Sequence, residues 1–121
     1  ESMSTFATVA VLVVAALHLG FLVLEMFLWT KPIGRRVFGL PREVMSAAAP
    51  LAANQGLYNG FLAAGLVWGV TLGGAGQAVR VFFLVCVVVA GLFGAATAKR
   101  TILWVQALPG AIALAATWLA R

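Results

Sequence analysis

Four apolar runs divide the chain, at about Phe6–Trp29, Leu51–Leu72, Val79–Ala98 and Ile102–Ala120. Each approaches the length, about 20 mostly apolar residues, that a helix needs to cross a bilayer. The connections between them differ in character. Thr30–Pro50 is long and holds Lys31, Arg35, Arg36, Arg42 and Glu43. Gly73–Ala78 is short, glycine-rich and uncharged, and the third is little more than Lys99-Arg100. Connections this short force neighbouring helices antiparallel. The pattern therefore predicts an all-α membrane protein of four transmembrane helices in an antiparallel bundle, one domain over 1–121. Pro50 suits the first turn of the second span, where a missing N–H costs nothing. In the long connection, Val37, Phe38, Leu40, Val44 and Met45 interleave with Arg36, Arg42 and Glu43. That spacing predicts a short interfacial helix beginning near Pro41; an irregular, solvated connection is the alternative.

Composition sharpens the class. Of 121 residues, 64% are hydrophobic and 9% charged, against roughly 45–50% and about 25% in soluble domains. A chain this short folding in water needs polar surface, and this one has almost none. A soluble domain, a disordered chain and a nucleic-acid binder are all disfavoured. The net charge of +5 reads as topology. Six Lys/Arg lie in the first and third connections, and only Arg80 and Arg121 on the opposite side. Basic residues near span ends favour the cytoplasm, so both termini are expected outside. Phe6–Trp29 is too long for a cleaved signal peptide and lacks a preceding Lys/Arg. Glu1-Ser2 ahead of Met3 reads as a vector-derived leader. Trp29, Trp68, Trp104 and Trp118 fall toward span ends, as interfacial aromatics do. The lone Cys86 cannot form an internal disulfide and reads as a small apolar residue.

Polar groups at membrane depth are expensive and often functional. Here they are His18, Glu25, Asn54, Gln55, Tyr58, Asn59 and Gln106. His18 and Glu25 share a helix face about 10 Å apart along the axis, too far for direct ligation of one metal. Asn54 and Tyr58, like Gln55 and Asn59, are four residues apart and form one broad polar face. Glu25, Gln55 and Gln106 each lie a few residues inside the basic connections, roughly 6–8 Å below that interface. Convergence of Glu25, Gln55, Asn59 and Gln106 is the expectation. A carboxyl group at that depth needs a proton, a cation or several donors. Hydrogen-bonded glue between helices is one reading, and a proton carrier or cation ligand is another. Small residues are also dense. Gly56, Gly60 and Ala64, and Gly65 and Gly69, repeat every four positions. Such stripes serve close packing within a bundle or a homodimer face.

The segments LEMFLW (Leu24–Trp29), FGL (Phe38–Leu40), AANQGLYNGFLAAGLVWG (Ala52–Gly69) and VQALPG (Val105–Gly110) resemble the family catalogued as domain of unknown function 1304, over essentially the whole chain. The resemblance implies a bacterial multi-pass inner-membrane protein of four helices and carries no activity. Its polar signature falls on His18, Glu25, Asn54, Gln55, Tyr58, Asn59 and Gln106. The family often carries an acid before the histidine. Leu17 stands there, which argues against a two-carboxylate relay.

No dinucleotide fingerprint, P-loop, CxxC or zinc-protease motif appears, so neither a cofactor, a metal site nor an enzymatic activity is implied. Three roles remain open. One is a ligand-binding bundle with a polar pocket in the cytoplasmic half for an amphiphile, quinone or lipid. The second is a small proton- or cation-coupled transporter using Glu25. The third is an accessory subunit among membrane lipids. Polar groups crowded toward one half favour a one-sided pocket over a through-path.

Overall fold

The computed structural model describes residues 2–121, with side chains from Ser4 onward. Glu1, and with it the reading of Glu1-Ser2 as a leader, lies outside the described residues. The chain is helical: α1 (Ser2–Met26), α2 (Pro32–Phe38), α3 (Arg42–Thr71), α4 (Gln77–Thr97) and α5 (Leu108–Ala120). A 3-10 turn, Gly73–Gly76, precedes α4, and a π turn, Leu103–Ala107, precedes α5. Three stretches are long and apolar enough to cross a membrane: Ser4–Met26, Gly73–Thr97 and Leu103–Ala120. The helix α3 is longer still, but Asn54, Gln55 and Asn59 dilute its apolar run. Large side chains such as Phe6, Leu12, Phe82, Val89, Phe93 and Leu119 are exposed. A soluble monomer rarely shows so much apolar surface, whereas a lipid-facing one must.

The helix boundaries depart from the predicted spans at the prolines. The first helix ends at Met26, not Trp29. Pro32 disfavours helical backbone at the residue before it, and Lys31 is extended, at φ −79° and ψ 164°. Pro32 then opens α2, where its absent N–H is harmless. The short helix of the long connection is thus Pro32–Phe38, earlier than the expected start near Pro41. Gly39, at φ 66°, closes it by donating its N–H to the Arg35 carbonyl. Arg42–Pro50 is helical but continuous with α3, so Pro50 lies inside a helix rather than in its first turn. Pro109 has a related effect. It offers no N–H to the Val105 carbonyl, and its ring crowds that oxygen. The chain widens there into a π turn, with the Leu108 N–H bonded to the Leu103 carbonyl.

Two compact units are present. The first comprises Glu1–Leu17 and Leu62–Arg121. Its core is Val11, Val14 and Ala15 of α1, Ala63 and Leu66 of α3, Leu84 and Val87 of α4, and Ala113 of α5. Four helices therefore share one apolar cluster. A side chain at Gly94 would meet Ile102, at Gly91 it would meet Ala107, and at Gly110 it would meet Val87. The order reverses along the two helices, so α4 and α5 form an antiparallel hairpin. In lipid there is little hydrophobic drive between helices, and close packing of small residues supplies cohesion.

The second unit is His18–Phe61. It holds the end of α1, all of α2 and the first two-thirds of α3. The Trp29 indole donates to the Met45 carbonyl at 2.7 Å, and its ring lies 4.6 Å from that of Phe38. Met45 is buried, so Trp29 clasps the connection rather than merely marking a span end. Gly56 and Gly60 set the approach of α3 to α1: a Cβ at Gly56 would lie 2.6 Å from Met26 Cγ, and one at Gly60 2.8 Å from Leu22 Cδ1. In the first unit, Gly65 packs under the Phe83 ring and Gly69 against Arg80. These glycines of both stripes are therefore used within the chain.

Candidate functional site

Glu25 and Asn59 meet because α1 and α3 are drawn together at Gly56 and Gly60. Asn59 Nδ2 donates to Glu25 Oε1 at 2.6 Å, short for an N–H···O bond. Asn59 is buried, 5% exposed, while Glu25 is only half-buried. Asn59 is the one side-chain donor described at this carboxyl group. A carboxylate can accept about four hydrogen bonds, so most of this capacity is open.

The remaining sequence-predicted residues separate into three groups. His18 is fully buried, with its ring 5.1 Å from that of Phe21 in an edge-on contact. Asn54, Gln55 and Tyr58 are exposed on α3, and Tyr58 rests against Phe61 at 5.9 Å between ring centres. Gln106 belongs to the first unit, half-buried on the π turn. The expected convergence thus holds for Glu25 and Asn59. Gln55 is instead exposed. The physical reason is one of degree: with Gly56 and Gly60 centring the stripe that faces α1, Asn59 lies about 60° from Gly56 around the helix and Gln55 about 100°, so Asn59 falls at the edge of the contact and Gln55 just beyond it.

A second polar constellation, in the first unit, carries no strong sequence signature. Arg80 Nη1 donates to the carbonyls of Gly69, at 2.6 Å, and Gly73, at 2.8 Å. Its Nη2 donates to Gln77 Oε1 at 3.2 Å, and Gln77 Nε2 donates to the Thr117 carbonyl at 3.0 Å. The arginine thereby satisfies carbonyls that the end of α3 leaves without helical partners. The signal in the sequence is Gln77 and Arg80 three residues apart on the first turn of α4, one side chain above the other.

The Glu25–Asn59 pair, the buried histidine and the π turn all lie within a single family match. Residues 12–118 match the model described as "Protein of unknown function (DUF1304)". The chain belongs to this family. A relative is the uncharacterized protein YpaA of Lactococcus lactis subsp. lactis (strain IL1403), 27% identical over 105 residues, which cover 84% of this chain and 88% of the relative. No solved structure matches the chain. The DUF1304 match contains Gln77, Arg80 and Thr117 as well as every polar residue predicted from the sequence, and it excludes Ser4, Thr8 and Arg121.

Proposed function

We propose that the protein is a four-span inner-membrane bundle that binds an amphiphile, such as a quinone or a lipid, by its polar head at Glu25 and the polar row of α3. The observation that carries this reading is the exposure of Asn54, Gln55 and Tyr58, in the same unit as a carboxyl group with one described donor. Asn54 lies about 6 Å along the helix from Pro50. At such depth, hydrocarbon offers no partner to an amide. A head group carrying donors and acceptors supplies one, and its tail continues along the exposed apolar surface. In this reading the basic connections face the cytoplasm, the polar row lies in the cytoplasmic half and both termini are outside.

Native mass spectrometry of the protein released from its own membranes tests the binding. The expected result is a stoichiometric adduct on the wild type that is lost in Glu25→Ala. A bare wild-type protein, together with Glu25-dependent proton uptake in proteoliposomes, would replace binding by transport. Topology is tested by labelling Ser46→Cys in a Cys86→Ala background. An impermeant reagent added to whole cells should leave it unmodified, and modification would reverse the orientation.

A further inference from the structure

The first unit carries a cationic groove of its own. It measures about 360 Å³ and is lined by Ser4, Thr8, Gly74, Gln77, Arg80 and Arg121, among others. A recess of about 50 Å³, lined by the same Ser4, Thr8, Gln77 and Arg80, adds Thr117. Two guanidinium groups thus line one groove. The only side-chain carboxylates among the described residues, Glu25 and Glu43, both belong to the second unit. Arg80 commits three donors to Gly69, Gly73 and Gln77, and a guanidinium carries five. Arg121 is already oriented. Its guanidinium lies 4.1 Å from the centre of the Trp118 ring, with Nε donating to the Trp118 carbonyl at 3.0 Å. The Thr117 hydroxyl is the decisive group. Thr117 is 2% exposed, and its Oγ1 is buried without a hydrogen-bond partner. A buried hydroxyl is rarely left unpaired unless a water or ligand completes it.

We propose that this groove binds a phosphate-class oxyanion. A tetrahedral anion accepts from several donors at once and suits paired guanidinium forks. The free donors of Arg80 and Arg121 supply the charge, and the Thr117 hydroxyl donates from the recess, directly or through one water. Free phosphate and the phosphodiester of a lipid head group share this chemistry.

The test uses the intact chain in a neutral maltoside detergent. Inorganic phosphate and dioctanoyl phosphatidylglycerol are titrated separately, and binding is followed by the fluorescence of Trp118 in a background with Trp29, Trp68 and Trp104 replaced by Phe. Saturable binding of phosphate identifies a free-anion site, and saturation by the phospholipid alone identifies a head-group site; either supports the proposal. Thr117→Val and Arg121→Gln should each weaken the bound probe by about tenfold, the loss of one hydrogen bond to a charged group, with helicity unchanged. Thr117→Val is the discriminating variant, because its hydroxyl has no protein partner to lose. Arg80→Gln is less informative because it also strips the end of α3. No saturable response to either probe, or unchanged affinity in both variants, would overturn the proposal.

Discussion

Glu25 and Arg80 are each the single charged residue of their helix, α1 and α4, yet they are satisfied in opposite ways. Arg80 is tied mainly to backbone carbonyls at the end of α3. Glu25 is tied to one side-chain amide on another helix. The difference follows from donor and acceptor chemistry. Helix C-termini leave carbonyls unpaired, and a guanidinium can take several of them. A carboxylate only accepts, and the N–H groups of a helix's last turn, where Glu25 lies, are already used, so an acid there must find a side-chain donor elsewhere. Arginine thereby spends three of its five donors within the protein, whereas the acid spends one acceptor and keeps most of its capacity open.

Forcing apart the helices that bring Glu25 to Asn59 should cost the most stability. Gly56→Leu would force side-chain atoms into Met26 and Glu25, where even a Cβ lies at 2.6 and 3.1 Å. Overpacking of this kind costs about 1–3 kcal/mol or more. Denaturant-induced unfolding in detergent should show a loss exceeding that of any polar substitution at Arg80, Asn59 or Glu25. Next is Arg80→Gln, which removes the hydrogen bonds to Gly69 and Gly73. A loss of about 1.5–3 kcal/mol is expected from hydrogen bonds made by a charged group, visible as faster amide exchange at the end of α3.

Asn59→Leu comes third. It deprives Glu25 of its one described donor, and interhelical hydrogen bonds in membrane proteins average about 0.6 kcal/mol, rising to nearly 2. The decline in thermal stability should be smaller than that of Arg80→Gln. Equal losses would mean that Glu25 is as firmly built into the scaffold as Arg80. The smallest effect is expected for Glu25→Gln, since an amide still accepts from Asn59. Its unfolding curve should overlay the wild type within about 0.5 kcal/mol.

Much of the architecture is legible as apolar runs. Phe6–Trp29 and Val79–Ala98 correspond to α1 and α4 to within a few residues, because nothing but hydrophobicity acts along them. The prolines are harder to read. Pro50 looks like a helix start, but the helix begins at Arg42, directly after Pro41, and a proline eight residues inside remains compatible with it. Pro109 within an apolar run gives no sign of the π turn, which depends on backbone carbonyls that hydropathy does not see. At the sites, Glu25 and Asn59 are visible as isolated polar residues in apolar surroundings. Arg80 is hidden by the same logic, since a basic residue near a span end already has a topological explanation. Its partners, the Gly69 and Gly73 carbonyls, carry no side-chain signal at all.

On the proposed reading, the polar row on α3 binds a head group and does not hold the helices together. The most direct measurement combines Asn54→Leu, Gln55→Leu and Tyr58→Phe in one variant and follows both its unfolding curve and its bound amphiphile by native mass spectrometry. Stability within about 1 kcal/mol of the wild type is expected, as for surface positions, together with loss of the adduct. A variant that unfolds readily, or one that keeps the adduct at wild-type occupancy, would contradict that reading.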